Sequence, residues 1–169
     1  MKLPLTIIFA SVFFFGACST APKTAGNNNA AATQTIYGTA ANGVAQEKSA
    51  IVMYALGLHG TQYQWGGSTP QSGFDCSGFV RHVYKEAAGT LLPRSAYEMS
   101  QSGSTVGATQ LQPGDLVFFN TLQRAFSHVG IYLGDNRFIH APSAGKAVQI
   151  SQMGDTYWKR RFEGARRLP

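Results

Sequence analysis

The sequence is poor in charged residues and in cysteine. Charged side chains make up 13% of its 169 residues, about half the ~25% of an average soluble domain. This low charge excludes a coiled coil and a charge-driven disordered chain. The two cysteines are too few for a disulfide scaffold. The length excludes a two-domain enzyme and leaves room for one domain of ordinary size.

Apolar residues are plentiful, at 44% of the chain, and they indicate a real hydrophobic core. The formal net charge is +6 at pH 7. This charge suits several kinds of anionic partner and therefore selects none of them.

The N-terminus has the pattern of an export signal. Lys2 precedes an apolar run over residues 3–15, which is too short to span a bilayer and has the proportions of a secretory signal. The run ends in Phe15-Gly16-Ala17-Cys18, which resembles the bacterial lipoprotein processing site, where the cysteine is lipidated and becomes the first mature residue. We therefore expect a signal peptide over residues 1–17 and a lipid at Cys18. The alternative is ordinary cleavage nearby, with Cys18 an incidental thiol.

Residues 18–43 consist mainly of Ala, Thr, Asn and Gly, with one charged residue, Lys23. This composition predicts a flexible tether between a membrane anchor at Cys18 and a domain over residues 44–169. Ser19 after the anchor cysteine is compatible with sorting to the outer membrane, facing the periplasm, if the host is Gram-negative. We thus expect a protein of the cell envelope, for which nucleic acid is not a partner.

Within residues 44–169, helices come first and strands second. Apolar residues at helical spacing predict helices over residues 44–58 and 76–88, with Asp75 as N-cap of the second, and a short third helix starts at Ser95. Short apolar runs then predict the strands of an antiparallel sheet of about five strands. The predicted strands cover residues 116–119, 128–133, 137–141, 148–151 and 161–168. This order predicts an α+β domain.

Cys76 is the strongest candidate for a chemical role. It lies between glycines at the point where a loop becomes a helix. The N–H groups of a helix N-terminus stabilise a thiolate and lower its pKa, and they can also form an oxyanion hole. The alternative is a small buried apolar residue, which is the common role of a free cysteine.

A cysteine nucleophile requires a histidine base, and the sequence has four histidines. We expect His59 and His82 on the surface because of their helical positions. His128 and His140 lie on the two predicted strands that flank Gly134-Asp135-Asn136, a hairpin signal. Their rings are therefore expected to lie side by side.

Five motifs in this order resemble the NlpC-type cell-wall cysteine peptidases, which have a papain-like fold, and in spacing the Spr-type lipoproteins of Gram-negative envelopes. The motifs are Tyr63-Gln64-Trp65-Gly66-Gly67, Phe74-Asp75-Cys76-Ser77-Gly78-Phe79, Pro113-Gly114-Asp115-Leu116-Val117-Phe118-Phe119, His128-Val129-Gly130-Ile131-Tyr132 and Phe138-Ile139-His140-Ala141. The resemblance covers nearly the whole chain from Val44 onward.

The resemblance implies a catalytic triad that needs no metal or other cofactor. Cys76 would attack a peptide carbonyl of peptidoglycan, His128 would act as general base and then acid, and His140 would orient His128. It also implies that the Tyr63 hydroxyl serves the oxyanion region. Asp75, Ser77 and Arg94 match family positions near the substrate. For Asp75 and Ser77 the alternative is that they only cap and shape the helix start.

The expected activity is that of an endopeptidase acting on the D-alanyl–diaminopimelyl cross-link or on the γ-D-glutamyl–diaminopimelyl bond. Two alternatives stay open: a non-catalytic envelope or peptidoglycan-binding lipoprotein, and an amidase or acyltransferase on the same fold. A basic cluster follows near the C-terminus, for which we expect a solvated face or weak attraction to the wall. Its members are Lys159, Arg160, Arg161, Arg166 and Arg167. An envelope adaptor or regulatory protein is not identifiable from the sequence.

Overall fold

The computed structural model describes residues 29–169, and their side chains from residue 42 onward. The predicted signal peptide and Cys18 lie outside the described residues. The helices are α1 (Asn29–Gly57), α2 (Cys76–Ala88), α3 (Ala96–Met99) and α4 (Thr156–Lys159). The strands are β1 (Ser68–Thr69), β2 (Gly73–Phe74), β3 (Ser104–Val106), β4 (Leu116–Phe119), β5 (His128–Gly134), β6 (Arg137–His140), β7 (Gln149–Gln152) and β8 (Phe162–Arg167). Helices therefore precede the main sheet, which confirms the predicted α+β class.

The main sheet has six antiparallel strands in the order β3-β8-β4-β5-β6-β7. Five of them were predicted from apolar runs, whereas β3 was missed. It has only three residues, and two of these are exposed, so it carries almost no apolar pattern. A separate hairpin of β1 and β2 lies ahead of α2.

The sheet has an apolar layer on each face. On one face α1 and α2 pack through a large core that includes Phe79, Val80 and Val83 of α2. On the other face a smaller core forms around Phe119 and Phe138, with Trp158 of α4 packed against it. Because strand residues alternate between faces, the central strands β4, β5 and β6 supply side chains to both layers.

The structure differs from the prediction at the start of the domain. Helix α1 is described from Asn29 onward, so residues 29–43 of the predicted flexible tether are helical. The segment is rich in alanine, which has the highest helix propensity, and this outweighs Gly38 and Gly43. No helix among the described residues has the length and apolarity needed to cross a membrane.

The β5–β6 hairpin has the turn that the sequence indicated. Asp135 and Asn136 both have positive φ, 50° and 60°, as a two-residue type I′ turn requires. The register pairs Ile131 with Ile139 and Tyr132 with Phe138. This pairing brings the start of β5, with His128, next to the end of β6, with His140.

Candidate active site

Cys76 is the first residue of α2, as predicted. Asp75 is the N-cap and accepts a hydrogen bond from the N–H of Gly78 at 2.7 Å. Gly78 has to be glycine, because a Cβ there would lie 2.0 Å from the carbonyl oxygen of Gly67. The loop before the helix is therefore pressed against the first turn, which fixes the position of the Cys76 thiol.

The thiol also contacts the main sheet. Backbone N–H groups of Val129, Ser77 and Cys76 itself donate hydrogen bonds that lower the pKa of Cys76. Val129 directly follows His128 on β5. The nucleophile predicted on one helix and the base predicted on a strand are thus brought to the same place.

The net shift of the Cys76 pKa is upward, so the prediction of a lowered value is wrong. Burial of the sulfur is the largest cause, and the negative charge of Asp75 adds to it. The backbone N–H groups lower the pKa of Cys76 as predicted, but burial and Asp75 raise it by more. Cys76 as a whole residue is only partly buried, so the thiol remains within reach of a substrate.

His128 and His140 form what we call the histidine pair. Nε2 of His128 lies 2.8 Å from Nδ1 of His140, and the rings are nearly perpendicular, at 89°. Gly130 between them has to be glycine, because a Cβ there would lie 2.7 Å from the Phe138 ring and 3.2 Å from Cβ of His140. The predicted side-by-side arrangement of the two rings is confirmed.

The histidine pair is held uncharged by burial. His128 is 4% exposed and His140 is 0% exposed. Burial lowers the pKa of His128 to about 4, and burial together with His128 and Lys146 lowers the pKa of His140 well below its usual value. Trp158 covers the pair, because it stacks on His128 at 28° and meets the His140 ring edge-on.

Asp75, Ser77 and Arg94 form a second polar group beside Cys76, which we call the charged clamp. Arg94 donates from Nη2 to Asp75 Oδ2 at 2.6 Å and from Nη1 to Asp75 Oδ1 at 3.0 Å. Nη1 of Arg94 also reaches Oγ of Ser77 at 2.9 Å, and Asp75 accepts a further bond from the N–H of Gly66. Hydrogen bonds within the protein therefore engage these predicted substrate-region residues and shape the helix start.

Tyr63 lies close to the thiol. The pKa of its hydroxyl is raised by burial, by Cys76 and by Asp75, in that order. Its N–H donates to the carbonyl oxygen of Lys146 at 2.9 Å, and its backbone pairs with Phe74. The loop that carries Tyr63 is thereby fixed to both sides of the site.

The other two histidines lie away from this centre. His59 is exposed, as predicted. His82, which was also expected on the surface, is instead partly buried, with Nε2 3.2 Å from the Tyr54 hydroxyl and its ring against Phe74. Among the described residues, no group of three or more His, Cys, Asp and Glu side chains has the geometry to hold a metal ion.

Three grooves open on this part of the surface. The largest, about 510 Å³, lies along α2 beside Tyr54 and Lys85 and is lined by neither Cys76 nor His128. A groove of about 400 Å³ is lined by Lys146, Asp155 and Trp158, and thus adjoins the histidine pair. A third, of about 420 Å³, ends at Ser127, next to His128.

Three residues near the site were missed in the sequence: Ser151, Lys146 and Trp158. Ser151 places its Oγ 3.0 Å from Nε2 of His140. All three follow β6, in a segment where the sequence has no short turn signal that fixes the strand register. The pairing of β7 with β6 places Ser151 beside His140, and contacts outside these strands bring Lys146 and Trp158 there.

Comparison with known proteins places this arrangement in a family. Residues 60–167 match the NlpC/P60 family. The chain is 45% identical over 121 residues to Murein DD-endopeptidase MepS/Murein LD-carboxypeptidase of Escherichia coli (strain K12), across 72% of this chain and 63% of that protein. It is 47% identical over 119 residues to Gamma-DL-glutamyl hydrolase of Bacillus subtilis (strain 168), across 70% of this chain and 29% of that protein.

A solved structure shows the same fold. The NlpC/p60 domain of the peptidoglycan hydrolase SagA superposes with a TM-score of 0.63 at 34% identity, covering 72% of this chain and 98% of that domain. The papain-like fold predicted from the sequence is thereby confirmed. The chain spans less than two thirds of the length of the curated relatives it matches.

Proposed function

The chain belongs to the NlpC/P60 family, and from this we propose that it is a cysteine endopeptidase that hydrolyses peptide stems or cross-links of peptidoglycan. One observation carries the proposal. The Cys76 thiol at the start of α2 accepts a hydrogen bond from Val129, the residue after His128, and His128 is bonded to His140. A non-catalytic binding module would not require a thiol and two buried histidines at one place.

The reaction begins with an uncharged pair, because burial opposes both the thiolate and the imidazolium. His128 takes the thiol proton on Nδ1 while sulfur attacks the peptide carbonyl, since its Nε2 is bonded to His140. In this proposal the N–H of Cys76 and the Tyr63 hydroxyl stabilise the developing oxyanion.

The tetrahedral intermediate then breaks down. The C–N bond breaks as His128 gives its proton to the leaving amine, and a thioester with Cys76 remains. Water attacks the thioester as His128 accepts one of its protons. The C–S bond breaks and that proton returns to sulfur, which restores the resting pair.

The side on which the amine leaves follows from this chemistry. Because His128 protonates the amine, the leaving residue has to lie on the side of the histidine pair. The groove that contains Lys146 and Trp158 adjoins this pair. Lys146 is exposed there, and its positive charge is close enough to contribute to the lowered pKa of His140.

Lys146 favours one of the two candidate bonds. In the D-alanyl–diaminopimelyl cross-link, the carbon that bears the leaving amine also bears a free carboxylate. In the γ-D-glutamyl–diaminopimelyl bond of a tetrapeptide stem, the corresponding carboxyl is already joined to D-alanine. A cation beside the leaving amine attracts only the free carboxylate, so we favour the cross-link as substrate. The name of the Bacillus subtilis relative supports the other bond as second candidate.

The N-terminal assignments remain proposals on sequence grounds. We propose that residues 1–17 are a signal peptide, that Cys18 carries a lipid, and that residues 44–169 are the peptidase domain of an outer-membrane lipoprotein facing the periplasm. Labelling cells with a fatty-acid analogue tests this. The wild type should take up label and Cys18→Ser should not, whereas equal labelling of both would contradict it.

Cleavage of defined substrates tests the activity. The purified full-length wild type and Cys76→Ala would be incubated with cross-linked muropeptides, and the products identified by mass spectrometry. We expect dimers to become monomers with the wild type alone. Stems shortened to dipeptides would indicate the γ-D-glutamyl bond, and stems released whole from glycan would indicate an amidase. Unchanged substrate with both proteins would refute the proposed function.

A further inference from the structure

Ser151 extends the chain of hydrogen bonds that begins at His128. It lies on β7, opposite Phe138 of β6. Phe138 and His140 are two residues apart and so share a face of the sheet. Ser151 is on that face as well, and its Oγ lies 3.0 Å from Nε2 of His140.

The requirement for a base at His128 determines where each proton lies. His128 can accept the thiol proton on Nδ1 only if its own proton is on Nε2. Nδ1 of His140, at 2.8 Å, then has to be the acceptor, so the proton of His140 is on Nε2. A neutral imidazole has one donor and one acceptor nitrogen, and the state of one ring therefore fixes that of the other.

The Nε2–H of His140 then needs an acceptor. His140 is 0% exposed, and a buried N–H without a partner is strongly disfavoured. The Ser151 Oγ is the atom that fills this role. Ser151 is only partly buried, so its own O–H proton can be directed to solvent while its oxygen accepts.

We propose that Ser151 is a positioning residue that accepts the Nε2 proton of His140 and thereby holds both histidines in the tautomer that lets His128 act as a base. The proposal rests on the thiol chemistry proposed above, but not on the identity of the substrate. In the opposite arrangement, Ser151 would donate to His140, the proton of His128 would lie on Nδ1, and the base would be blocked.

Two variants of the same shape isolate the hydroxyl. Ser151→Thr retains it, whereas Ser151→Val replaces it with a methyl group, and both β-branched residues suit a strand. Ser102 supplies the matched control, because it is a partly buried serine outside the site whose Oγ bonds to the carbonyl of Glu98. Ser102→Thr and Ser102→Val would be made in parallel. Thermal unfolding confirms that each variant is folded, and Ser151→Ala replaces the valine variant if that one is not.

The first measurement is nitrogen NMR of the histidine rings in the full-length protein. We expect the Nε2–H tautomer at both His128 and His140 in the wild type and in Ser151→Thr. In Ser151→Val, His140 should shift toward the Nδ1–H tautomer, because its Nε2–H has lost the acceptor. Unchanged tautomers in Ser151→Val would overturn the proposal.

The second measurement is the rate at which iodoacetamide alkylates Cys76 near neutral pH, which needs no peptidoglycan. Ser151→Val should react about tenfold more slowly than Ser151→Thr. A factor of ten in rate corresponds to the free energy of about one hydrogen bond, which the valine variant lacks when the thiol proton moves to His128. On muropeptides, kcat should fall similarly with KM nearly unchanged. Equal rates for the two variants would overturn the proposal. If they differ in alkylation while no protein cleaves muropeptides, the role of Ser151 stands and the proposed substrate is wrong.

Discussion

The charged clamp and the histidine pair both lie near Cys76, and they are built on opposite principles. The clamp is ionised: Arg94 and Asp75 are 2.6 Å apart, and 43% of the Arg94 side chain is exposed. The histidine pair is neutral and is almost completely excluded from solvent. The clamp fixes the backbone through an ion pair. The histidine pair stays uncharged, so that His128 can accept a proton.

The difference follows from the partners available to each group. Asp75 and Arg94 neutralise one another, and the N–H groups of Gly78 and Gly66 satisfy the carboxylate further. His128 has His140 as its partner rather than a carboxylate. Among the residues that the structure describes, no negative group contributes to the pKa shift of His128, so burial decides its state. The positioning of Cys76 and the transfer of its proton are therefore carried out by separate groups. Substitutions in one group can test its role without removing the other.

The largest effect is expected from His128→Gln. Without a base, turnover of cross-linked muropeptides should fall by roughly 10⁴–10⁶-fold, as for other triads that lose a member. The fold should survive, because the clamp is untouched. Turnover and urea unfolding would be measured beside His82→Gln, a partly buried histidine outside the site, which should retain activity. Near-normal turnover of His128→Gln would refute its role as base.

A second effect concerns stability in acid. The pKa of His128 is about 4 in the folded protein and about 6.5 when unfolded. Between these values the unfolded chain binds the extra proton, so stability is complete above pH 6.5 and is lost as the pH falls toward 4. At 1.36 kcal/mol per unit, the loss from this group reaches about 3 kcal/mol. Urea unfolding at pH 7 and pH 4.5 would show it, and His128→Gln should lose less than the wild type.

A third effect tests whether the clamp also influences the thiol. The Asp75 charge raises the pKa of Cys76, so Asp75→Asn should make alkylation of Cys76 a few-fold faster. The amide can still cap α2 but cannot pair with Arg94, and stability should fall by about 1–2 kcal/mol. The matched control is Asp115→Asn, which breaks the Asp115–Arg167 ion pair. Asp115→Asn should reduce stability without changing the rate of Cys76 alkylation. Faster alkylation in Asp115→Asn would show that a general loss of stability, and not the Asp75 charge, explains the effect of Asp75→Asn.

The smallest effect is expected at Lys146. Lys146→Gln should raise KM for cross-linked muropeptides about two- to fivefold, the size of an exposed charge interaction. It should change little on substrates whose diaminopimelate carboxylate is amidated. Lys159→Gln, another exposed lysine, serves as control. An equal effect on both substrates would remove the reason to favour the cross-link.

Local signals were enough to predict much of this molecule. The predicted limits of α2, residues 76–88, are confirmed: Asp75 caps its start, and Gly89 ends it in the left-handed region at φ 66°. The turn at Asp135 and Asn136 correctly brings His128 next to His140. These features depend on residues close together in the sequence, where capping and turn chemistry act.

Features that depend on distant contacts could not be predicted. The position of Ser151 depends on how β7 registers with β6, which no turn specifies. The raised pKa of Cys76 depends on burial beneath other elements and on where Asp75 lies. The sequence predicts too late a start for α1, because residues 29–43 contain few apolar residues and only their alanine content favours a helix.

The protonated resting state of Cys76 has a consequence for the lifetime of the protein. Oxidation to sulfenic acid and beyond proceeds from the thiolate, and exposed thiols of low pKa are damaged first. Here burial and Asp75 keep the sulfur protonated until a substrate carbonyl is present for the sulfur to attack. We expect the idle protein to resist peroxide for longer than a peptidase that stores its nucleophile as an ion pair with histidine.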